Sequence, residues 1–176
     1  MLSDKQKGVV CGAAPALLTT ITGFIVAVKL YPYIFSIPDQ SNGLFGAMLK
    51  WCLLPVICLA VNVGLVGNYR FYSPDDIDGA GLTAGTIKIR IYRATLQNTL
   101  EQTVLAVLTY LIWTISMPQQ WQGLIIVSAI FFLLGRLFFW RGYESGAAGR
   151  AFGFGLTFYP TVLMLLMLCV HFIFEI

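Results

Sequence analysis

Residues 102–135 read QTVLAVLTYLIWTISMPQQWQGLIIVSAIFFLLG and contain no charged side chain. A helix crosses about 30 Å of hydrocarbon in roughly 20 residues, so this run is too long for one crossing. Its middle, SMPQQWQ (116–122), holds Pro118, three glutamines and Trp121. That composition suits a membrane–water interface and divides the run into two spans. Working outward, three more uncharged runs occur at 8–28, 51–69 and 151–174, the last interrupted only by His171. The spacing predicts five transmembrane helices near 8–36, 44–67, 86–114, 121–142 and 151–174, with a turn at IPDQSNG (37–43) before the second. An all-α antiparallel transmembrane bundle follows, because the short alternating strands of a membrane barrel are missing from the sequence.

Composition points the same way. The 176 residues are 58% hydrophobic and only 11% charged, which excludes an ordinary soluble domain and makes the lipid bilayer the first partner. The net charge of +3 is spread over helix ends rather than gathered in a basic tail, so nucleic acid is not an expected partner. With five alternating spans, Lys5, Lys7, Arg70, Lys88, Arg90, Arg93, Arg136, Arg141 and Arg150 fall on one side, and only Lys29 and Lys50 on the other. The basic side is expected to be cytoplasmic, with the amino terminus there and Glu175 outside. Lys5 and Lys7 precede an apolar stretch too long for a cleaved signal, so an uncleaved anchor is expected. Cys11, Cys52, Cys58 and Cys169 lie in spans without paired spacing and are read as small apolar residues, with neither disulfide nor metal. Asp75, Asp76 and Asp78 in NYRFYSPDDIDGAGLTAGT (68–86) lack calcium-loop spacing and are expected in an exposed turn, capping nearby backbone. Gly142, Gly146, Gly149 and Gly153 are expected to let helices approach closely.

Chemistry concentrates in RIYRATLQNTLEQ (90–102). At 100° per residue, Arg90, Ala94, Gln97, Asn98 and Glu101 share one helix face and Arg93 borders it. A carboxylate at this depth costs several kcal/mol unless it meets protein or water, so Glu101 should not face lipid. One reading is a pocket in which arginines hold an anion while Asn98 and Glu101 fix its amide or amine groups. Arg70, Arg136, Arg150 and Tyr143 lie near the same end of their helices and would complete it. The other reading is that Arg90 and Arg93 extend to headgroups and Glu101 only ties helices together.

NYRFYSPDDIDG, RATLQNTLEQ and GRLFFWRGYESGAAGRAFGFGLTFYP, in that order with spans between them, resemble the MAPEG family, the membrane-associated proteins in eicosanoid and glutathione metabolism, and its bacterial members most. The resemblance covers about residues 44–174. It implies a four-helix domain over 44–176 and a homotrimer, expected in the bacterial inner membrane; the transmembrane helix and turn over 1–43 are extra to the family's usual four spans. Glutathione would be a co-substrate in cytoplasm-facing clefts between subunits, with a lipophilic small molecule as its acceptor and no metal. Asn98 and Glu101 match the family's Asn-x-x-Glu, Arg136 and Tyr143 match glutathione-contacting positions, and Arg150 matches the arginine that stabilises the thiolate. Arg90, Arg93, Arg70 and Gln97 complete the expected binding set. Ala94 stands where relatives commonly carry arginine, with Arg93 one position earlier. Two functions are therefore carried forward: a glutathione transferase or peroxidase, and a non-catalytic subunit of a larger membrane complex.

Overall fold

The computed structural model describes residues 2–34, 41–79 and 81–174. The chain runs through α1 (Asp4–Ile34), α2 (Ser41–Leu49), a 3-10 turn (Lys50–Cys52), α3 (Leu53–Phe71), α4 (Ile87–Ser116), a second 3-10 turn (Gln119–Trp121), α5 (Gly123–Gly142) and α6 (Gly146–Phe174). Among the described residues, five stretches are long and apolar enough to span a membrane: Asp4–Leu30, Phe45–Phe71, Ile87–Ser116, Gln119–Gly142 and Gly146–Phe174. The fold is the expected helical bundle, with no strand among the described residues. Residues 37–40 of the expected turn and Glu175 lie outside the described residues, and 41–43 already belong to α2.

Local chemistry explains where the helix ends depart from the hydrophobic runs. α1 begins before its apolar stretch because Ser3 and Gln6 form a reciprocal capping box: Gln6 N donates to Ser3 Oγ at 3.3 Å and Ser3 N donates to Gln6 Oε1 at 2.8 Å. The second span is not one continuous α-helix. Pro55 has no N–H to give the carbonyl four residues back, and the chain tightens to 3-10 geometry at Lys50–Cys52, just ahead of it. At the far end of α4, Gln122 Nε2 donates to the Met117 carbonyl at 2.8 Å and Trp113 Nε1 donates to the Trp121 carbonyl at 3.1 Å. The Gln122 bond supplies a donor where the α4 helix has run out of backbone N–H groups.

Along α4 the hydroxyls of Thr95, Thr99, Thr109 and Thr114 each return to a carbonyl three or four residues back, so these four are satisfied within the helix, whereas Gln102 Oε1 and Tyr110 Oη are buried without a partner. Its buried face meets α3, where Thr103 Oγ1 donates to the Pro55 carbonyl at 3.3 Å. α5 and α6 pack on a glycine seam. A Cβ on Gly142 would strike the Gly149 carbonyl, one on Gly153 would strike the Phe139 nitrogen, and one on Gly135 would lie 2.7 Å from Thr157 Cγ2. Such seams bring helix backbones together where no hydrophobic force does so. α1 lies against α6 and α5, and α3 against α4. Trp113, Tyr110, Phe132, Leu124, Ile125 and Met164 fill the interior. Leu18, Ile25, Val63, Leu108, Phe138 and Leu166 are exposed, as side chains facing lipid should be.

The connection between α3 and α4 is pinned by one carboxylate. Asp76 is 1% exposed, contrary to the exposed turn expected for all three aspartates. It accepts from Thr86 N at 2.9 Å, Thr86 Oγ1 at 2.8 Å and Ser73 Oγ at 2.7 Å. Thr86 is the N-cap of α4, with its hydroxyl accepting from Ile89 N, so Asp76 fixes where that helix starts. Asp75 and Asp78 are exposed.

Candidate functional site

At the arginine-rich end the helices leave two neighbouring clefts that share Ala94. The first, of about 290 Å³, is lined by Asn98 from α4, Phe139 from α5, Tyr143 just past its end, Arg150 and Phe154 from α6, and Val9 from α1. The second, of about 460 Å³, is lined by Val66 and Arg70 from α3 and by Arg90, Arg93, Leu96 and Gln97 from α4. The structure thus brings Asn98, Tyr143 and Arg150 together and gathers Arg70, Arg90, Arg93 and Gln97 next door. Both volumes lie within or near the range of small-molecule sites, about 300–1,000 Å³.

Arg150 and Tyr143 meet because the α5–α6 connection is so short. Gly146 adopts φ of 80°, which a side chain would resist, and Gly146 N bonds the Tyr143 carbonyl at 3.1 Å. α6 then starts immediately, and Arg150, one turn in, lays its guanidinium carbon 4.5 Å from the Tyr143 ring centroid. The stacked guanidinium is half-buried, with its planar set of N–H donors held in a fixed orientation over the phenol. Phe139, one turn before Tyr143, contacts that ring edge-on at 5.4 Å and Phe154 at 6.5 Å, giving the cleft an apolar floor beneath a polar mouth.

Arg136 does not line either cleft. Its side chain is 0% exposed and lies one layer behind the first cleft. Nη1 donates to Asn98 Oδ1 at 2.8 Å and to Thr99 Oγ1 at 3.4 Å, and Nη2 donates to Thr157 Oγ1 at 2.6 Å. The guanidinium carbon also sits 4.4 Å from the Phe139 ring centroid and 5.7 Å from that of Phe132. No carboxylate comes within ion-pair distance of it among the described residues, where Lys7–Asp4 is the single ion pair. With its carbonyl oxygen committed to Arg136, Asn98 has its amide N–H groups to offer a ligand.

Glu101 shares a face with Asn98 by helical angle, yet it is exposed and accepts only from Gln97 Nε2, at 2.9 Å. Arg90, Arg93 and Gln97 are exposed as well. Arg70 is half-buried beneath them, and its Nε is buried without a partner. Sequence reasoning missed Val9, Phe139, Phe154 and Thr157. Phe139 was open to inference, since it lies three residues after Arg136, on the neighbouring turn. The four cysteines are free, Cys52 and Cys58 buried, Cys11 and Cys169 exposed. No cluster of three metal-ligating side chains occurs among the described residues. His171 lies at the opposite end of α6, about 30 Å from Arg150 along the helix axis, in an apolar groove with Phe24, Trp121 and Met167.

Fold and clefts together define a polytopic helical membrane protein with a cationic site at one end of the bundle. Residues 48–170 match the profile of the MAPEG family. The chain belongs to that family, and the match leaves α1 outside it. No curated protein and no solved structure matches the chain.

Proposed function

We propose that the protein is a glutathione-dependent membrane transferase or peroxidase. The observation that carries the reading is the Arg150 guanidinium, fixed on Tyr143 in the same cleft as Asn98. A cysteine thiol of pKa about 8.5 is mostly protonated at neutral pH, and a guanidinium fixed beside it favours the thiolate. Glutathione lies across Ala94, with its thiol in the Arg150 cleft and its carboxylates toward Arg70, Arg90, Arg93 and Gln97. Asn98 donates to a peptide or carboxylate oxygen, and Arg136 holds Asn98 in that orientation. The thiolate then attacks an electrophilic carbon, whose leaving group departs with the bonding electrons. With a hydroperoxide it attacks oxygen, releases an alcohol, and a second thiol reduces the sulfenic acid to a disulfide and water.

In this reading the protein is a homotrimer in a bacterial inner membrane, with its amino terminus and clefts cytoplasmic. Residues 44–176 form the family core, and 1–43 add a helix and turn. Glu101 and the exposed arginines face a neighbouring subunit, which supplies the rest of each glutathione site. The acceptor is a lipophilic small molecule entering from the bilayer. A second reading, a non-catalytic subunit of a larger membrane complex, is favoured by Ala94, a residue with no polar side chain at the junction of the two clefts. Isothermal titration of the purified protein with glutathione separates them. Saturable heat at millimolar glutathione or below supports the enzyme, and none at that concentration leaves the second reading.

A further inference from the structure

The helix outside the family match walls the candidate site. On α1, Gly8, Gly12 and Ala16 recur every four residues and so share one face. That face meets α6 at its small residues. A Cβ on Gly8 would lie 2.7 Å from Ala148 Cβ, one on Gly12 would lie 2.8 Å from Ala151 Cβ, and one on Gly155 would lie 2.8 Å from Ala16 Cβ. At these positions only single alanine methyl groups stand between the two backbones, so α1 is held against the start of α6, where Arg150 sits. Val9 follows Gly8 and is turned 100° from the seam, and its side chain joins the lining of the Arg150 cleft. Phe139 and Phe154 line the same cleft. The apolar half of the cleft therefore has a floor from α5 and α6 and a side wall from α1.

We propose that α1 is the specificity wall of this cleft: Val9 sets how large an apolar acceptor can lie on Phe139 and Phe154 beside the sulfur held at Arg150. The inference rests on the thiol reading above. It makes the acceptor a compact, flat electrophile rather than a long-chain one, because a cleft of about 290 Å³ must also take the thiol end of the co-substrate. With a chloronitroarene, the thiolate sulfur forms a bond to the ring carbon, the carbon–chlorine bond breaks, chloride leaves with the electron pair, and the thiol proton passes to solvent.

The test uses the full chain as wild type, V9A, V9W and L17A. Leu17 lies on α1 beyond the cleft and controls for general loosening of that helix. Each protein is assayed with glutathione and two acceptors, chlorodinitrobenzene and the hexyl ester of chloronitrobenzoic acid, and its bound-thiolate absorbance is recorded. One or two methyl groups in an apolar pocket change selectivity by about tenfold or more. V9A should raise kcat/KM for the hexyl ester about tenfold relative to chlorodinitrobenzene, V9W should lower it by as much, and L17A should leave the ratio alone, with equal thiolate in all four. An unchanged ratio with thiolate intact overturns the wall and leaves the thiol reading standing. So does an L17A shift equal to that of V9A, or thiolate without turnover of either acceptor. Absence of thiolate from every protein, wild type included, overturns the thiol reading and the wall with it.

Discussion

Replacing Arg136 by Met separates what this residue does for stability from what it does for the site. The guanidinium makes two short hydrogen bonds, to Asn98 at 2.8 Å and Thr157 at 2.6 Å, and a longer one to Thr99. Bonds to a charged group contribute about 1.5–3 kcal/mol each, so the two short ones are together about 3–6 kcal/mol. Against that stands the desolvation of a cation with no carboxylate beside it, several kcal/mol at full burial. Removing the charge strands little. Thr157 Oγ1 also donates to the Phe154 carbonyl at 2.8 Å, and Thr99 Oγ1 to the Thr95 carbonyl at 2.7 Å. Only Asn98 Oδ1 loses its partner, and Asn98 borders an open cleft that water can enter. The net change in stability should be within about 2 kcal/mol of zero, of either sign. If glutathione binds as proposed, its affinity should fall about tenfold, because the Asn98 amide is then free to turn its oxygen toward the ligand. Thermal unfolding in detergent and titration calorimetry measure the two effects. A loss above about 4 kcal/mol would refute this balance between hydrogen bonding and desolvation. Unchanged affinity would refute the positioning of Asn98.

Three other outcomes follow from the geometry. Gly142→Val places side-chain atoms in the Gly149 carbonyl and should cost about 3 kcal/mol or prevent folding, whereas Gly46→Ala, with open space around it, should be neutral in the same unfolding assay. Burial alone would raise the pKa of Asp76, but the Thr86 N–H, the Ser73 and Thr86 hydroxyls and the Arg70 charge hold it below the usual 3.8. A carboxyl whose folded pKa is lowered stabilises above its ordinary pKa and loses that contribution as pH falls toward the folded value. Hydrogen-exchange protection of Thr86 and Ile89 should therefore drop as pH falls below 3.8, and in Asp76→Asn it should be low already at neutral pH; equal protection in both proteins at neutral pH would refute the clamp. Glu101→Gln should leave the unfolding midpoint of the dissociated chain unchanged, since within one chain the carboxylate bonds only to Gln97, and, if glutathione binds as proposed, should weaken that binding severalfold. A large stability loss would mean that Glu101 holds the chain together rather than serving a ligand.

The spans were legible because crossing hydrocarbon demands length and apolarity, and both can be read residue by residue. Of the four glycines expected to bring helices together, Gly142, Gly149 and Gly153 do so, since small residues in a span have few other uses, whereas Gly146 has open space around it and serves the turn through its positive φ, and Gly135 joins the seam without having been expected there. Asn98, Tyr143 and Arg150 could be nominated from charge and polarity at one end of the bundle, but a helical wheel supplies an angle and not a neighbour. It places Glu101 beside Asn98, yet α5 and α6 cover Asn98 and leave Glu101 exposed. Arg136 reads like the other arginines, near a helix end. Its burial depends on Asn98, Thr99 and Thr157 converging from two other helices, which no single segment encodes. Asp76 reads like Asp75 and Asp78, and only the arrival of Thr86 ten residues later distinguishes it. The wall formed by Val9 joins residues near opposite ends of the chain, and α1 lies outside the family match, so no motif pointed to it.

If Arg150 stabilises a bound thiolate, glutathione added to the purified protein should develop the ultraviolet absorbance of a thiolate. The band should be present in wild type at neutral pH, lost in Arg150→Ala and retained in Arg141→Ala, whose arginine is exposed outside both clefts. A band of equal size in Arg150→Ala, with glutathione still bound, would remove Arg150 from the role assigned to it.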